Sequence, residues 1–142
     1  MLKIKKIDTI CVFTDGGARG NPGPAGIGAV LQDKDKNTIA EISQYIGHAT
    51  NNVAEYMAVI YGLLESLVYQ PDKVMIYLDS QLVARHLKGE YKVRNAEILK
   101  FFNLTRNLIQ KFKKVEIHEI PREKNKLADK LVNEALDLKS LF

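Results

Sequence analysis

Apolar residues fall into short runs and helical stripes that alternate along the chain. Thr9-Ile10-Cys11-Val12-Phe13-Thr14 is rich in β-formers and predicts a strand that stops at Asp15, ahead of a Gly/Pro loop. Gly26 to Gln32 and Thr38 to Ile46 read as two more strands, joined by the polar turn D-K-D-K-N. Over Asn51 to Val68 the spacing turns helical. Val53, Met57, Ile60, Leu64 and Leu67 recur every three or four residues, with Thr50 or Asn51 as the cap.

Val74 to Leu78 is wholly apolar, the pattern of a strand inside a sheet covered on both faces. Helices follow at Gln81 to Leu87 and Ala96 to Phe112, then a strand at Val115 to Ile120. A final helix at Lys126 to Leu138 has Asn125 before it. The order β-β-β-α-β-α-α-β-α predicts an α/β fold with a mixed five-stranded sheet: an antiparallel meander, then parallel strands entered through helices.

Length and composition narrow the class. A chain of 142 residues with no repeat, linker or low-complexity tract predicts one domain over 1–142. The start, M-L-K-I-K-K-I-D, is too polar for a leader. The longest apolar stretch, Tyr56 to Tyr69, is interrupted and falls short of the ~20 residues a bilayer requires, so no membrane contact and a cytoplasmic location are expected. Cys11 has no cysteine partner and reads as a small core residue, which excludes a disulfide and a Cys/His metal site. A net charge of +4 permits a polyanionic partner without requiring one.

Four acids stand where such a fold gathers its chemistry. Asp15 and Asp79 end two strands; if these are parallel neighbours, both carboxylates emerge at the carboxyl end of the sheet, where open α/β sheets place their sites. Glu55 lies in the first turn of its helix, on a stripe with Ala58 and Gly62 small enough to bring that helix close to the sheet. Asp129 opens the last helix. Four converging oxygen donors suit hard divalent cations such as Mg²⁺, and two such ions ~3.5–4 Å apart can hold both the attacking and the leaving oxygen of a phosphodiester. Singly, each acid also reads as a solvated strand end or a first-turn residue favoured by the helix dipole.

The surrounding residues decide between these readings. D-G-G-A-R-G-N-P-G-P at 15–24, T-N-N-V-A-E-Y at 50–56, Y-L-D-S-Q-L-V at 77–83 and P-R-E-K-N-K-L-A-D-K-L at 121–131 occur in that order. Together they resemble the type 1 ribonuclease H family, over about Thr9 to Leu136, and most of all its compact archaeal and bacterial form. The resemblance implies a ribonuclease H-like fold and an endonuclease that cuts the RNA strand of RNA–DNA hybrids, leaving 5′-phosphate and 3′-hydroxyl ends. It implies Asp15, Glu55, Asp79 and Asp129 as the metal-binding and catalytic set for two Mg²⁺ ions, with Mn²⁺ as substitute.

It also implies that Asn21, Asn51, Asn52 and Gln81 meet the hybrid in its minor groove and that Thr50 meets a phosphate of the DNA strand. Amides suit this work, since they can both donate to and accept from the 2′-hydroxyl and base edges. Gly16, Gly17 and Gly20 would let backbone approach the sugar. Asn51-Asn52 also reads as plain helix capping.

Two features depart from the larger family members. The basic protrusion is reduced to G-E-Y-K-V-R-N, which leaves Lys92 and Arg94 as what remains of a cationic handle. The loop before Asp129 has no histidine, so that auxiliary role is either empty or taken by Glu123, with Glu119 as second choice. No added N-terminal hybrid-binding domain and no obligate protein partner are expected. The glycines after the first strand do not form a phosphate loop, because Pro22 and Pro24 prevent a helix and no Lys-Ser/Thr pair follows. His48, His86 and His118 lack metal-ligand spacing, and Tyr45, Tyr56, Tyr61, Phe101 and Phe102 read as core or half-buried residues. The alternatives are a nuclease of the same fold that also cuts double-stranded RNA, a non-catalytic hybrid-binding module, and an unrelated α/β domain with incidental acids.

Overall fold

In the computed structural model, the structure describes residues 5–141; the first four residues of the polar start lie outside them. Five strands form one sheet: β1 (Thr9–Ala18), β2 (Gly23–Gln32), β3 (Thr38–Ala49), β4 (Lys73–Leu78) and β5 (Lys114–Glu119), in the order β3-β2-β1-β4-β5. β1, β2 and β3 are the expected antiparallel meander, and β4 and β5 add in parallel. The helices are α1 (Asn51–Leu67), α2 (Gln81–Leu87), α3 (Ala96–Ile109) and α4 (Lys126–Ser140). Among the described residues, no helix is long and apolar enough to cross a membrane.

β1 runs beyond the strand expected from its apolar run. Asp15, Gly16, Gly17 and Ala18 keep pairing with β2, opposite Gly28, Ile27, Gly26 and Ala25. Pairing with β4 ends at Thr14 opposite Leu78. Asp15 and Asp79 therefore sit side by side where the two parallel strands part.

α1 buries Val53 and Ile60 of its apolar stripe, but the buried face is centred to one side of that stripe. Its centre is the small-residue stripe Glu55, Ala58 and Gly62 beside Tyr56, Val59 and Leu63, whereas Leu64 is 48% exposed. Small side chains draw the helix axis toward the sheet, so the large apolar residues at 53, 57 and 60 flank the contact and Leu64 is turned out. Thr50 caps the helix, its hydroxyl accepting from the backbone N–H of Val53 at 3.2 Å. The main core lies on this side, where Ile10, Val12, Val74, Ile76 and Leu78 meet α1, α2 and α3.

The other face is only partly covered. α4 packs on β1, β2 and β3, so Met75 and Tyr77 stay half-buried and β4 is not sealed on both sides as its apolar run suggests. Phe13, Tyr77 and His118 stack across β1, β4 and β5 there, with ring centres 4.8 and 5.1 Å apart. His118 also bonds Glu116 at 3.0 Å, and His86 bonds the Tyr56 hydroxyl at 2.7 Å inside the core. Both histidines thus have hydrogen-bond partners within the protein.

Candidate active site

Two glycines set the distances at the carboxyl end of the sheet. A Cβ on Gly16 would lie 2.2 Å from the carbonyl oxygen of Ala54, so only glycine lets the end of β1 press against the first turn of α1. That contact carries Glu55 to the neighbour of Gly16, Asp15. On the opposite face Gly28, directly across from Asp15, receives α4: a Cβ there would lie 2.2 Å from the carbonyl oxygen of Ala128. Gly16 thus serves packing against the helix, and it also lines the carboxylate cavity where an approach to a sugar is expected from sequence. A Cβ on Gly17 would make only ordinary contact, 3.9 Å from Val132 Cγ1, and Gly17 lines the same cavity.

Asp15, Glu55 and Asp79 each offer a carboxylate oxygen within 4.8 Å of the others. Asp129, in the first turn of α4, lines the same cavity of about 410 Å³ but stands outside that close group. Asp15 is 8% exposed and Glu55 9%, and one oxygen of Glu55 is buried with no hydrogen-bond partner among the described residues. Burial pushes the Asp15 carboxyl up to about 7, helped by the negative charge of Asp79. Burial, and then the charges of Asp15 and Asp79, raises Glu55 well above the usual carboxylate range. The acids are held too close and too dry to keep all their charge without a cation, and an all-oxygen donor set fits a hard divalent one.

Asn125 was legible only as a residue preceding a helix; its side chain makes no cap. It is 1% exposed and turned inward, where Nδ2 donates to the Thr14 carbonyl at 2.8 Å and to Asp79 Oδ2 at 3.3 Å. It ties the last loop to β1 and orients Asp79. Arg122 also escaped the sequence reading. It lines the cavity, with Nη2 3.8 Å from Asp129 Oδ1. Glu123, in the 3-10 turn Arg122–Lys124, is exposed and faces a smaller cavity of about 180 Å³ beside Phe13 and Leu127, away from the clustered acids. Glu119, the second choice, bonds Arg85.

The remaining expected contacts lie around the rim. Asn51 lines the carboxylate cavity, and its Oδ1 accepts from the backbone N–H of Ala18 at 2.8 Å. Asn21 Oδ1 accepts from the backbone N–H of Asn51 at 3.1 Å. Across the start of α1, Asn52, Lys92 and Arg94 line a second cavity of about 520 Å³, which Leu82, His86 and Ile98 share. Gln81 opens α2, two residues after Asp79, and is exposed.

With this geometry, comparisons with known proteins agree. The reverse transcriptase-like family matches residues 13–135. A bifunctional protein of Mycobacterium tuberculosis is 40% identical over 129 residues, which cover 90% of this chain and 35% of that protein. The chain thus spans about a third of the length of these mycobacterial relatives. A ribonuclease H of Chromobacterium violaceum is 34% identical, covering 92% of this chain and 96% of its own. Among solved structures, LC11-RNase H1 in complex with an RNA/DNA hybrid is 44% identical with a TM-score of 0.88, covering 94% of this chain and 99% of that one.

Proposed function

The chain belongs to the type 1 ribonuclease H family, and from that premise we propose that it is an endonuclease hydrolysing the RNA strand of RNA–DNA hybrids to 5′-phosphate and 3′-hydroxyl ends. The observation that carries this reading is the convergence of Asp15, Glu55 and Asp79 within 4.8 Å, beside a rim of amides. Asp15, Glu55, Asp79 and Asp129 would hold the divalent ions, with Mg²⁺ as the ion used, Mn²⁺ as its substitute and two ions per site. Bound there, they supply the positive charge that makes water a nucleophile at neutral pH and stabilises the leaving 3′-oxygen.

The chain's own residues do the rest. Asn125 keeps Asp79 turned into the cavity, and the Gly16 contact keeps Glu55 against Asp15. Asn21, Asn51, Asn52 and Gln81 present amides to the minor groove, where a 2′-hydroxyl separates RNA from DNA. Thr50, while capping α1, stands at the phosphate-binding position of the DNA strand, and Lys92 and Arg94 add cations in the neighbouring cavity. Glu123, exposed in the loop before Asp129, stays the candidate for the auxiliary role of the missing histidine, unless that role is empty.

The test is incubation of the protein with labelled hybrid, duplex RNA and duplex DNA, with and without Mg²⁺ or Mn²⁺. Ion-dependent cutting of the RNA strand in the hybrid is expected. Cutting of duplex RNA at an equal rate would replace hybrid specificity with a broader ribonuclease, and binding without cutting would make the chain a recognition module.

A further inference from the structure

Three of the rim amides share one polarity. The side-chain oxygens of Asn21 and Asn51 are each taken by a backbone N–H, while among the described residues neither amide nitrogen donates to a protein acceptor. Gln81 completes the pattern through Arg85. With its amide turned so that the oxygen meets the guanidinium, Gln81 accepts from Arg85 Nη2 at 2.7 Å and from Nη1 at 3.2 Å. The opposite orientation would set an NH₂ group against N–H donors, because a guanidinium offers no acceptor.

The guanidinium is itself anchored. Its Nη1 donates to the Tyr91 hydroxyl at 2.9 Å, its Nε meets Glu119 Oε1 at 3.4 Å, and it lies 5.4 Å from the centre of the Tyr91 ring. The backbone carbonyl of Arg85 accepts from the N–H groups of Glu90 and Tyr91 at 2.9 and 3.2 Å, which folds the short connection back onto α2.

We propose that Arg85 is a positioning residue that fixes the Gln81 amide with its NH₂ outward, completing a set of three donors facing the minor groove. The proposal rests on the hybrid-binding reading above. Every base pair shows acceptors in the minor groove, and only G·C adds a donor, the guanine amino group. Outward NH₂ groups therefore find partners at any sequence. An amide free to turn its oxygen outward would meet repulsion at most base edges and find a donor only at guanine or at a 2′-hydroxyl. Arg85 thus makes the grip on the substrate indifferent to sequence.

The experiment compares wild type, Arg85→Ala, Arg85→Lys, Gln81→Ala and the Arg85→Ala/Gln81→Ala double variant on A·T-rich and G·C-rich hybrids, reading kcat and KM. Arg85→Ala should raise KM about three- to tenfold, the worth of one or two hydrogen bonds, and raise it more on A·T-rich hybrids. Its kcat should stay within about twofold, since Arg85 touches no reacting group. In the Gln81→Ala background the same change should add nothing, and Arg85→Lys should not rescue, because an ammonium lacks the planar fork. Tyr91→Phe, which removes an anchor without touching the amide, should shift KM the same way by a smaller factor and covers the case in which Arg85→Ala fails to fold. Additive effects in the double variant, full rescue by lysine, or an unchanged KM in both Arg85→Ala and Tyr91→Phe would overturn the assignment while the nuclease reading stood. A wild type that neither binds nor cuts the hybrid would remove both.

Discussion

Asp15 and Glu55 are almost out of water and crowd one another, whereas Asn21, Asn51 and Gln81 stand in solvent, the first two with their oxygens already bonded and Gln81 with Arg85 in reach of its own. The acids are placed by close backbone contact at Gly16 and Gly28, and their charge is left uncompensated. The amides are placed by hydrogen bonds and leave only donors outward. The first arrangement stores a demand for cations, and the second a tolerance for any base sequence. Chemistry and recognition, a few residues apart, are built by opposite means.

The comparison breaks most sharply when a charge is removed from the acids. Asp15→Asn or Asp79→Asn should lower kcat by about a thousandfold or more, since several kcal/mol of ion-dependent stabilisation are lost, while hybrid binding persists through the rim. Single-turnover cleavage in Mg²⁺ beside a binding titration checks both halves, and near-normal turnover in either variant would remove that residue from the catalytic set.

Next in size is Gly16→Ala. Its Cβ would meet Ala54 backbone that cannot step aside, so stability should fall by about 1–3 kcal/mol and Glu55 should part from Asp15. Denaturant unfolding measures the first effect. Gly17→Ala, whose Cβ would make only an ordinary contact with Val132, is the control and should stay near wild type in stability.

The stored demand for cations has a pH signature. With its folded carboxyl raised to about 7, Asp15 holds a proton in the native state that the unfolded chain has already released. The ion-free native state therefore loses stability as pH rises from about 4 through 7, and the loss is complete above that window. Mg²⁺ should restore it by binding only the native form. Thermal melts at pH 5 and pH 8, with and without the ion, should show the larger ion effect at pH 8. Asp15→Asn should flatten both dependences, and equal shifts in the two proteins would place the ion elsewhere.

The smallest effect belongs to the cations outside the cage. Changing Lys92 and Arg94 together to Ala should lower the slope of log affinity against log salt by about one to two units if each meets a phosphate. The preference for hybrid over duplex DNA should stay, because phosphate contacts position without choosing. An unchanged slope would show that the second cavity lies off the substrate path.

Much of this was legible in the chain itself. The element order and the small-residue stripe under Glu55 follow from local patterns of period two and 3.6, while Asp15 beside Asp79 stood as a condition on strand order that the sheet meets. What stayed hidden depends on contacts between distant segments. Nothing near Asn125 says that its amide reaches back to Thr14, and nothing near Gly28 says that Ala128 will rest on it. Arg122 and Glu123 are adjacent loop residues of equal plausibility until a single 3-10 turn sends one toward the acids and the other away. The half-open face of β4 was hidden for the same reason, since a strand's own residues cannot report how far a helix from the chain's end will extend over it.

The parallel pairing that ends at Thr14 and Leu78 has a consequence for the order of events in folding. These positions are far apart in the chain, with a strand pair and a helix in the segment between them. Such non-local pairing bears the loop-closure entropy of the whole intervening segment and belongs to the slow part of assembly. Asp15 and Asp79 become neighbours only when it closes. A partly folded chain lacking β4 would offer an ion only part of its ligand set, so a divalent cation held by these acids should slow unfolding more than it changes the folding rate.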